Sequence, residues 1–245
     1  MKSKRPAVSR STKSHQQESQ VAKSAERKFT KRPRVQIYPK NLNQENYLLK
    51  LNDPTKMIIF ATGPAGTGKT MLAVQWAVDQ LKNGNATKII ITRPAVSVDE
   101  EHGFLPGDLN EKMAPWTRPI FDVFAENYSA AEIETMVYEG IIETSPLAMM
   151  RGRTFKNAVI IADECQNTTP SQMKMLLTRL GIGSKMVVTG DLQQADRPRE
   201  NGLLEFLNLY NNFRDRQYVD LCTFTVHDIE RHEAVKEILA IYGET

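Results

Sequence analysis

The chain has only two cysteines in 245 residues, Cys165 and Cys222, far apart and without CxxC or metal-ligand spacing. That excludes a disulfide-stapled scaffold and a zinc cage, and it predicts reduced thiols in a cytoplasmic setting. No run approaches the ~18 consecutive apolar residues that a membrane span requires. The N-terminus also lacks the apolar stretch of a secretory signal. Acidic residues are scarce at the start. Residues 1–40 hold two Glu against 12 Lys or Arg, a charge of +10, so residues 41–245 carry −7 of the overall +3.

Residues 1–34 are Lys, Arg, Ser and Gln with few apolar side chains, too few to offset the entropy of ordering. They read as a disordered basic tail. Two roles stay open for it: a solubilising segment, or an arm drawn to nucleic-acid phosphates through counterion release. Its Arg-rich, acid-poor composition resembles an organelle transit peptide, but the apolar face of a targeting helix is missing.

From residue 35 to 245, short apolar runs alternate with helical patterns, which predicts one α/β domain: a parallel sheet with helices on both faces. The predicted strands are Met57–Ala61, Lys88–Thr92, Ile141–Thr144, Ala158–Ala162, Met186–Thr189 and Leu221–Thr225. Helices are predicted over Met71–Leu81, Gln172–Leu180 and His232–Tyr242. Ser97 to about Trp116 contains Gly103, Pro106, Gly107 and Pro115 with little periodicity and reads as a long functional loop. There is no internal repeat.

Gly63-Pro64-Ala65-Gly66-Thr67-Gly68-Lys69-Thr70 matches the P-loop pattern at every fixed position, with a strand before it and a helix after it. Its glycines let the backbone wrap an anion, so that N–H groups and a helix N-terminus face the phosphates of a nucleoside triphosphate. Lys69 would reach the β- and γ-phosphates, and the Thr70 hydroxyl would take a magnesium position. The bland alternative is a glycine-rich strand-to-helix turn.

The predicted strand Ala158–Ala162 ends in Asp163-Glu164, an expensive place for two carboxylates unless they are used. Asp163 can orient magnesium through its water shell, and Glu164 can take a proton from an attacking water. An acidic turn before a capped helix is the structural alternative, with Asn167-Thr168-Thr169-Pro170 supplying the cap. A third strand runs into Gly190-Asp191-Leu192-Gln193, which places the Gln193 amide as a candidate γ-phosphate sensor. An ordinary Gly-Asp turn is the alternative there.

Together these three motifs, with Gln166-Asn167 after the acidic pair, resemble the ATPase core of superfamily 1 helicases, and more closely the PhoH family. The likeness extends from Pro39-Lys40-Asn41-Leu42-Asn43-Gln44 through Thr92-Arg93-Pro94 and Gly103–Leu109 to Arg151–Phe155 and Asp228–His232. It implies a RecA-like P-loop ATPase using ATP and Mg2+, associated with phosphate starvation and with phages, acting on RNA and often hexameric. By the same resemblance, Gln44 would read adenine, with Tyr47 one helical turn on flanking the base. Arg93 would touch nucleic acid. Arg151, Arg153 and Arg231 would be candidates for stabilising transition-state charge, Arg231 first, and a neighbouring subunit can supply such a finger. Polar or solvated structural roles remain the alternatives for each.

A superfamily 1 helicase carries two RecA-like domains, whereas this chain has residues for one. The expectation is therefore a homo-oligomer in which the next copy completes the site. Three functions compete: ATP hydrolysis coupled to single-stranded RNA, a nucleotide-gated RNA-binding module with little turnover, and a small-molecule kinase. Glu164 argues against the second, because a pure binder has little use for a general base. The helicase-like turn Gly190–Gln193 argues against the third.

Overall fold

In the computed structural model, which describes residues 35–94, 109–196 and 198–242, the apolar runs pair side by side. Strands β1 (Ile58–Thr62), β2 (Lys88–Thr92), β3 (Ile142–Thr144), β4 (Ala158–Ala162), β5 (Lys185–Gly190) and β6 (Val219–Thr223) form one sheet. Its order is β3-β2-β4-β5-β1-β6, and every pairing is parallel. A parallel sheet must be covered on both faces, which is why its central strands are apolar throughout. All five residues of β4 are buried.

Alternate side chains still part to opposite faces. Ile59, Ile89, Ile91 and Ile161 meet Leu72, Trp76 and Phe124 on one side. Phe60, Ile90, Ile160 and Val188 meet Met173, Leu176 and Leu203 on the other. The first side is covered by α1 (Leu42–Asn52), α2 (Lys69–Lys82) and α3 (Leu109–Ala125), and α4 (Ala130–Tyr138) lies at its margin. The second is covered by α5 (Pro170–Leu177) and α6 (Gly202–Asn212), which pack on each other. The last helix described is α7 (Glu233–Tyr242).

All six expected strands form, two of them with the expected bounds and none with an end shifted by more than two residues. Among the described residues, four α-helices escape the sequence pattern. Helix α1 buries Gln44, Tyr47 and Leu51 at helical spacing, while Leu42 and Leu49 face solvent, so its apolar stripe is disguised. The expected loop from Ser97 to Trp116 is overturned at its end: α3 begins at Leu109 and runs through Pro115, a residue read as a breaker. A helix passes proline by giving up one backbone hydrogen bond and bending. The remainder of that loop, and the basic tail 1–34, lie outside the described residues. Helix α5 stops at Leu177 rather than Leu180, because Leu180 forms a parallel bridge with Phe155. Among the described residues no helix is long and apolar enough to cross a membrane.

Lys185 fastens the amino end of β5. Its Nζ donates to the carbonyls of Leu51 and Asp53, both at 2.7 Å, and lies 5.4 Å from the centre of the Trp76 ring. Burial pushes its pKa from the usual 10.5 down to about 8. Between those values the unfolded chain holds a proton that the native protein has released, so stability rises with pH across that window. Urea denaturation at pH 7.5 and 9.5 is expected to show the wild type gaining stability relative to Lys185→Met. Parallel pH profiles for the two proteins would refute this.

Candidate functional site

Because β5 is inserted between β1 and β4, three strand ends deliver three motifs to one place. The P-loop leaves β1, Asp163-Glu164 leaves β4 and Gly190-Asp191 leaves β5. Gly63 N donates to Gly190 O at 3.2 Å, and Asp163 N donates to Thr92 O at 2.9 Å. Between them lies a cleft of about 270 Å³, whose lining includes Gly66, Lys69, Thr70, Asp163, Glu164 and Asp191.

The loop geometry demands its glycines. Gly63 has φ +136°, and Gly66 and Gly68 both have φ +82°. A Cβ on Gly63 would stand 2.3 Å from Phe224 O, and one on Gly68 would stand 3.1 Å from Gln44 Nε2. Helices α1, α4, α5 and α6 are each capped by a side chain, from Asn41, Ser129, Thr169 and Asn201 respectively. Helix α2 has Gly68 at its cap and neither a capping side chain nor an acid in its first turn. Its leading N–H groups and positive dipole end are thus available to an anion. Lys69 Nζ donates to Gly63 O at 2.7 Å, to Pro64 O at 2.6 Å and to Thr67 Oγ1 at 3.2 Å. Burial lowers its pKa, against the pull of Asp191, Glu164 and Asp163.

Asp163 is buried at the floor. Its Oδ1 accepts from Thr70 Oγ1 at 2.7 Å and from Thr189 Oγ1 at 2.5 Å. A hydroxyl and a carboxylate side by side are the hard oxygen donors that suit Mg2+. Among the described residues there is no cluster of three or more His, Cys, Asp or Glu to cage a metal, so this pair fits an ion held mainly by water and phosphate.

Glu164 takes the left-handed conformation, φ 55° and ψ 39°, which is strained for a residue with a Cβ. Its Oε2 accepts from Gln166 Nε2 at 2.5 Å, while Gln166 Oε1 accepts from Asp191 N at 3.1 Å. Gln166, 1% exposed, thus joins the acidic pair to the turn after β5. Its role was missed in the sequence, where a buried polar residue in a short turn has no periodicity to reveal it. On the other side, Arg93 Nη2 stands 3.9 Å from Glu164 Oε1. Cys165, next in the chain, is buried, and that burial raises its thiol pKa well above the usual value, leaving it unreactive.

Other expected residues fall elsewhere. Gln193 is exposed and outside the cleft lining. Gln194 lines the cleft instead, with Nε2 donating to Asp191 Oδ2 at 2.8 Å. Gln44 is 1% exposed with both amide atoms engaged: Oε1 accepts from Lys40 N at 2.8 Å, and Nε2 donates to Thr67 O at 3.1 Å. Tyr47 is wholly buried edge-on to Phe224 with centroids 5.6 Å apart, a core position rather than a wall for a base. Arg153 makes a two-pronged pair with Glu143 and stacks 4.6 Å over Phe155, and Arg151 is exposed outside the lining. Arg231 lies against the P-loop of its own chain. A Cβ on Gly66 would meet its Nε at 2.8 Å, and Glu230 N donates to Gly66 O at 3.0 Å.

Gly84 has φ +74° with open space around it, so an alanine there meets only backbone strain. That strain costs about 1–2 kcal/mol, or roughly 2–8 °C in melting temperature for a domain of this size. Calorimetry is expected to show a clearly larger drop for Gly63→Ala, where the Cβ also collides with Phe224. Equal drops would mean that the loop relaxes around the added carbon.

The sequence matches known proteins. The family model described as PhoH-like protein matches residues 36–243. A PhoH-like protein of Bacillus subtilis is 46% identical over 212 residues, covering 85% of this chain and 64% of that protein. Protein PhoH of Escherichia coli is 40% identical over 211 residues, covering 84% and 58%. The chain therefore spans less than two-thirds of the length of either relative. Among solved structures, the Hef helicase domain of Pyrococcus furiosus aligns with a TM-score of 0.43 and 12% identity, over 80% of this chain and 39% of that one. Matched by the family model over nearly all of its α/β core, the chain has the P-loop NTPase fold and belongs to the PhoH-like family.

Proposed function

We propose that the protein hydrolyses ATP to ADP and phosphate with magnesium, and that single-stranded RNA binding is coupled to this cycle. The observation that carries the reading is Glu164, a carboxylate one residue beyond Asp163, facing the P-loop cleft and oriented by Gln166. Backbone N–H groups of Gly63–Thr70 and the open end of α2 bind the phosphates. Lys69 exchanges its loop acceptors for phosphate oxygens, and Thr70 and Asp163 would hold magnesium. When bound, the ion neutralises charge on the β- and γ-phosphate oxygens. Glu164 accepts a proton from water as the water oxygen attacks the γ-phosphorus and ADP departs.

Gln194, on the cleft, takes the sensing role expected of Gln193. Arg231 acts from within its own chain, so a finger from a neighbouring copy would have to be a different residue. Arg93 beside Glu164, at the carboxyl ends of the strands, supports nucleic-acid contact there, and the +10 charge of residues 1–40 adds long-range attraction. In this reading the protein is a cytoplasmic homo-oligomer in which adjacent copies close the open cleft.

Phosphate release should be measured with magnesium and ATP, with and without poly(U) RNA, alongside particle mass. Glu164→Gln is expected to lower turnover by about 10²-fold or more, the scale of a lost general base. Gln166→Leu should lower kcat with little change in KM. ATP binding without wild-type turnover in either condition would favour the nucleotide-gated module instead.

A further inference from the structure

Glu164 is gripped in two unlike ways. Its Oε2 is fixed by the neutral amide of Gln166, which is 1% exposed and braced against Asp191 N. Its Oε1 faces the guanidinium of Arg93 at 3.9 Å, across a gap where the two side chains are 27% and 33% exposed. One grip is built into the protein interior. The other is open to solvent and exchangeable.

The pairing of β2 with β4 explains the encounter. Thr92 is in register with Ala162, and Asp163 N donates to Thr92 O, so the chain leaves both strands at one level. Arg93 and the acidic pair therefore emerge side by side. The Arg93 carbonyl accepts from Leu147 N at 3.4 Å, which holds its backbone while the guanidinium stays at the surface. Among the described residues, Glu164 is the carboxylate paired with Arg93.

We propose that Arg93 is a positioning residue through which a bound single strand releases Glu164 for hydrolysis; this rests on the hydrolase reading above. While Arg93 faces Oε1, that oxygen is directed at a cation rather than at a water beside the γ-phosphate. A separation of 3.9 Å is an ion pair without a tight hydrogen bond. A nucleic-acid phosphate offers the guanidinium two parallel short bonds, a stronger arrangement than that single long contact. When a backbone phosphate takes Arg93, Gln166 keeps Glu164 from following. Oε1 then accepts the proton of the attacking water, and the oxygen of that water bonds to the γ-phosphorus as the bond to ADP breaks. Arg93 itself touches neither water nor nucleotide in this scheme.

The test is magnesium-dependent ATP turnover by the full chain, with and without poly(U) RNA, for wild type, Arg93→Gln, Arg93→Lys and the double variant Arg93→Gln/Glu164→Gln. Arg93→Gln is expected to raise the RNA-free kcat by about 5–50-fold, within the usual range of site-to-site coupling, with KM for ATP unchanged. RNA should then stimulate it less than twofold. Arg93→Lys should retain part of the stimulation, and the double variant should lose turnover, because the gain acts through Glu164. Wild-type basal rate with full stimulation in Arg93→Gln overturns the proposal. So does a basal rate that falls, which would make Arg93 a direct participant in the chemistry. If Arg93→Gln fails to fold, full stimulation with an unchanged basal rate in Arg93→Lys overturns it equally. A wild type that hydrolyses ATP in neither condition removes the hydrolase reading and this proposal together.

Discussion

Two hydroxyls donating to one carboxylate oxygen hold the centre of this molecule together. Thr70 belongs to the helix that follows β1, Thr189 to β5 and Asp163 to the end of β4, and all three meet at Asp163 Oδ1. A carboxylate only 6% exposed requires such partners, because burial without them would cost several kcal/mol. The same requirement aligns three independent strand ends. Once Asp163 is satisfied, the P-loop, the acidic pair and the turn after β5 have fixed positions, and the cleft between them follows.

A second seam supports the loop from behind. Asn41 Nδ2 reaches Asp228 O at 3.4 Å and Glu230 Oε1 at 3.3 Å, while Asn43 Nδ2 donates to Asp228 Oδ2 at 2.8 Å. Burial pushes the Asp228 carboxyl upward, but hydrogen bonds from Asn43 and Thr225 outweigh it and leave the pKa lowered. Gln44 then ties α1 to Thr67 O, and Glu230 N ties the last turn to Gly66 O. The P-loop is thereby clamped from both chain directions. Gln44, expected to meet nucleotide, is part of this clamp, and Arg231 follows directly after its last bond.

What was legible in the sequence follows from what leaves a local signature. Buried parallel strands are unbroken apolar runs bounded by turns, so Ala158–Ala162 and Lys88–Thr92 are readable to the residue. The P-loop is readable because φ values of +82° and +136° exclude nearly everything but glycine. Helix α1 was hidden because its buried face includes Gln44, whose amide Nε2 is satisfied by Thr67 O, 23 residues downstream. Gln193 and Gln194 are neighbours of identical chemistry, and only the short helical turn after Asp191 decides which one faces the cleft. The pairing of Arg153 with Glu143 depends on an edge strand of three residues, with no pattern linking the two in advance.

Lys69 has three acceptors inside its own loop, two of them carbonyls at 2.6 and 2.7 Å. Any phosphate that takes its ammonium must replace hydrogen bonds already made, so the net gain is a difference between two good arrangements rather than the strength of one. The ordering of the loop is completed during folding, and little of it remains to be done when a ligand arrives. In the proposed hydrolytic cycle a loop arranged this way would temper how tightly the spent nucleotide is retained, and a site that must empty before it can refill benefits from that restraint.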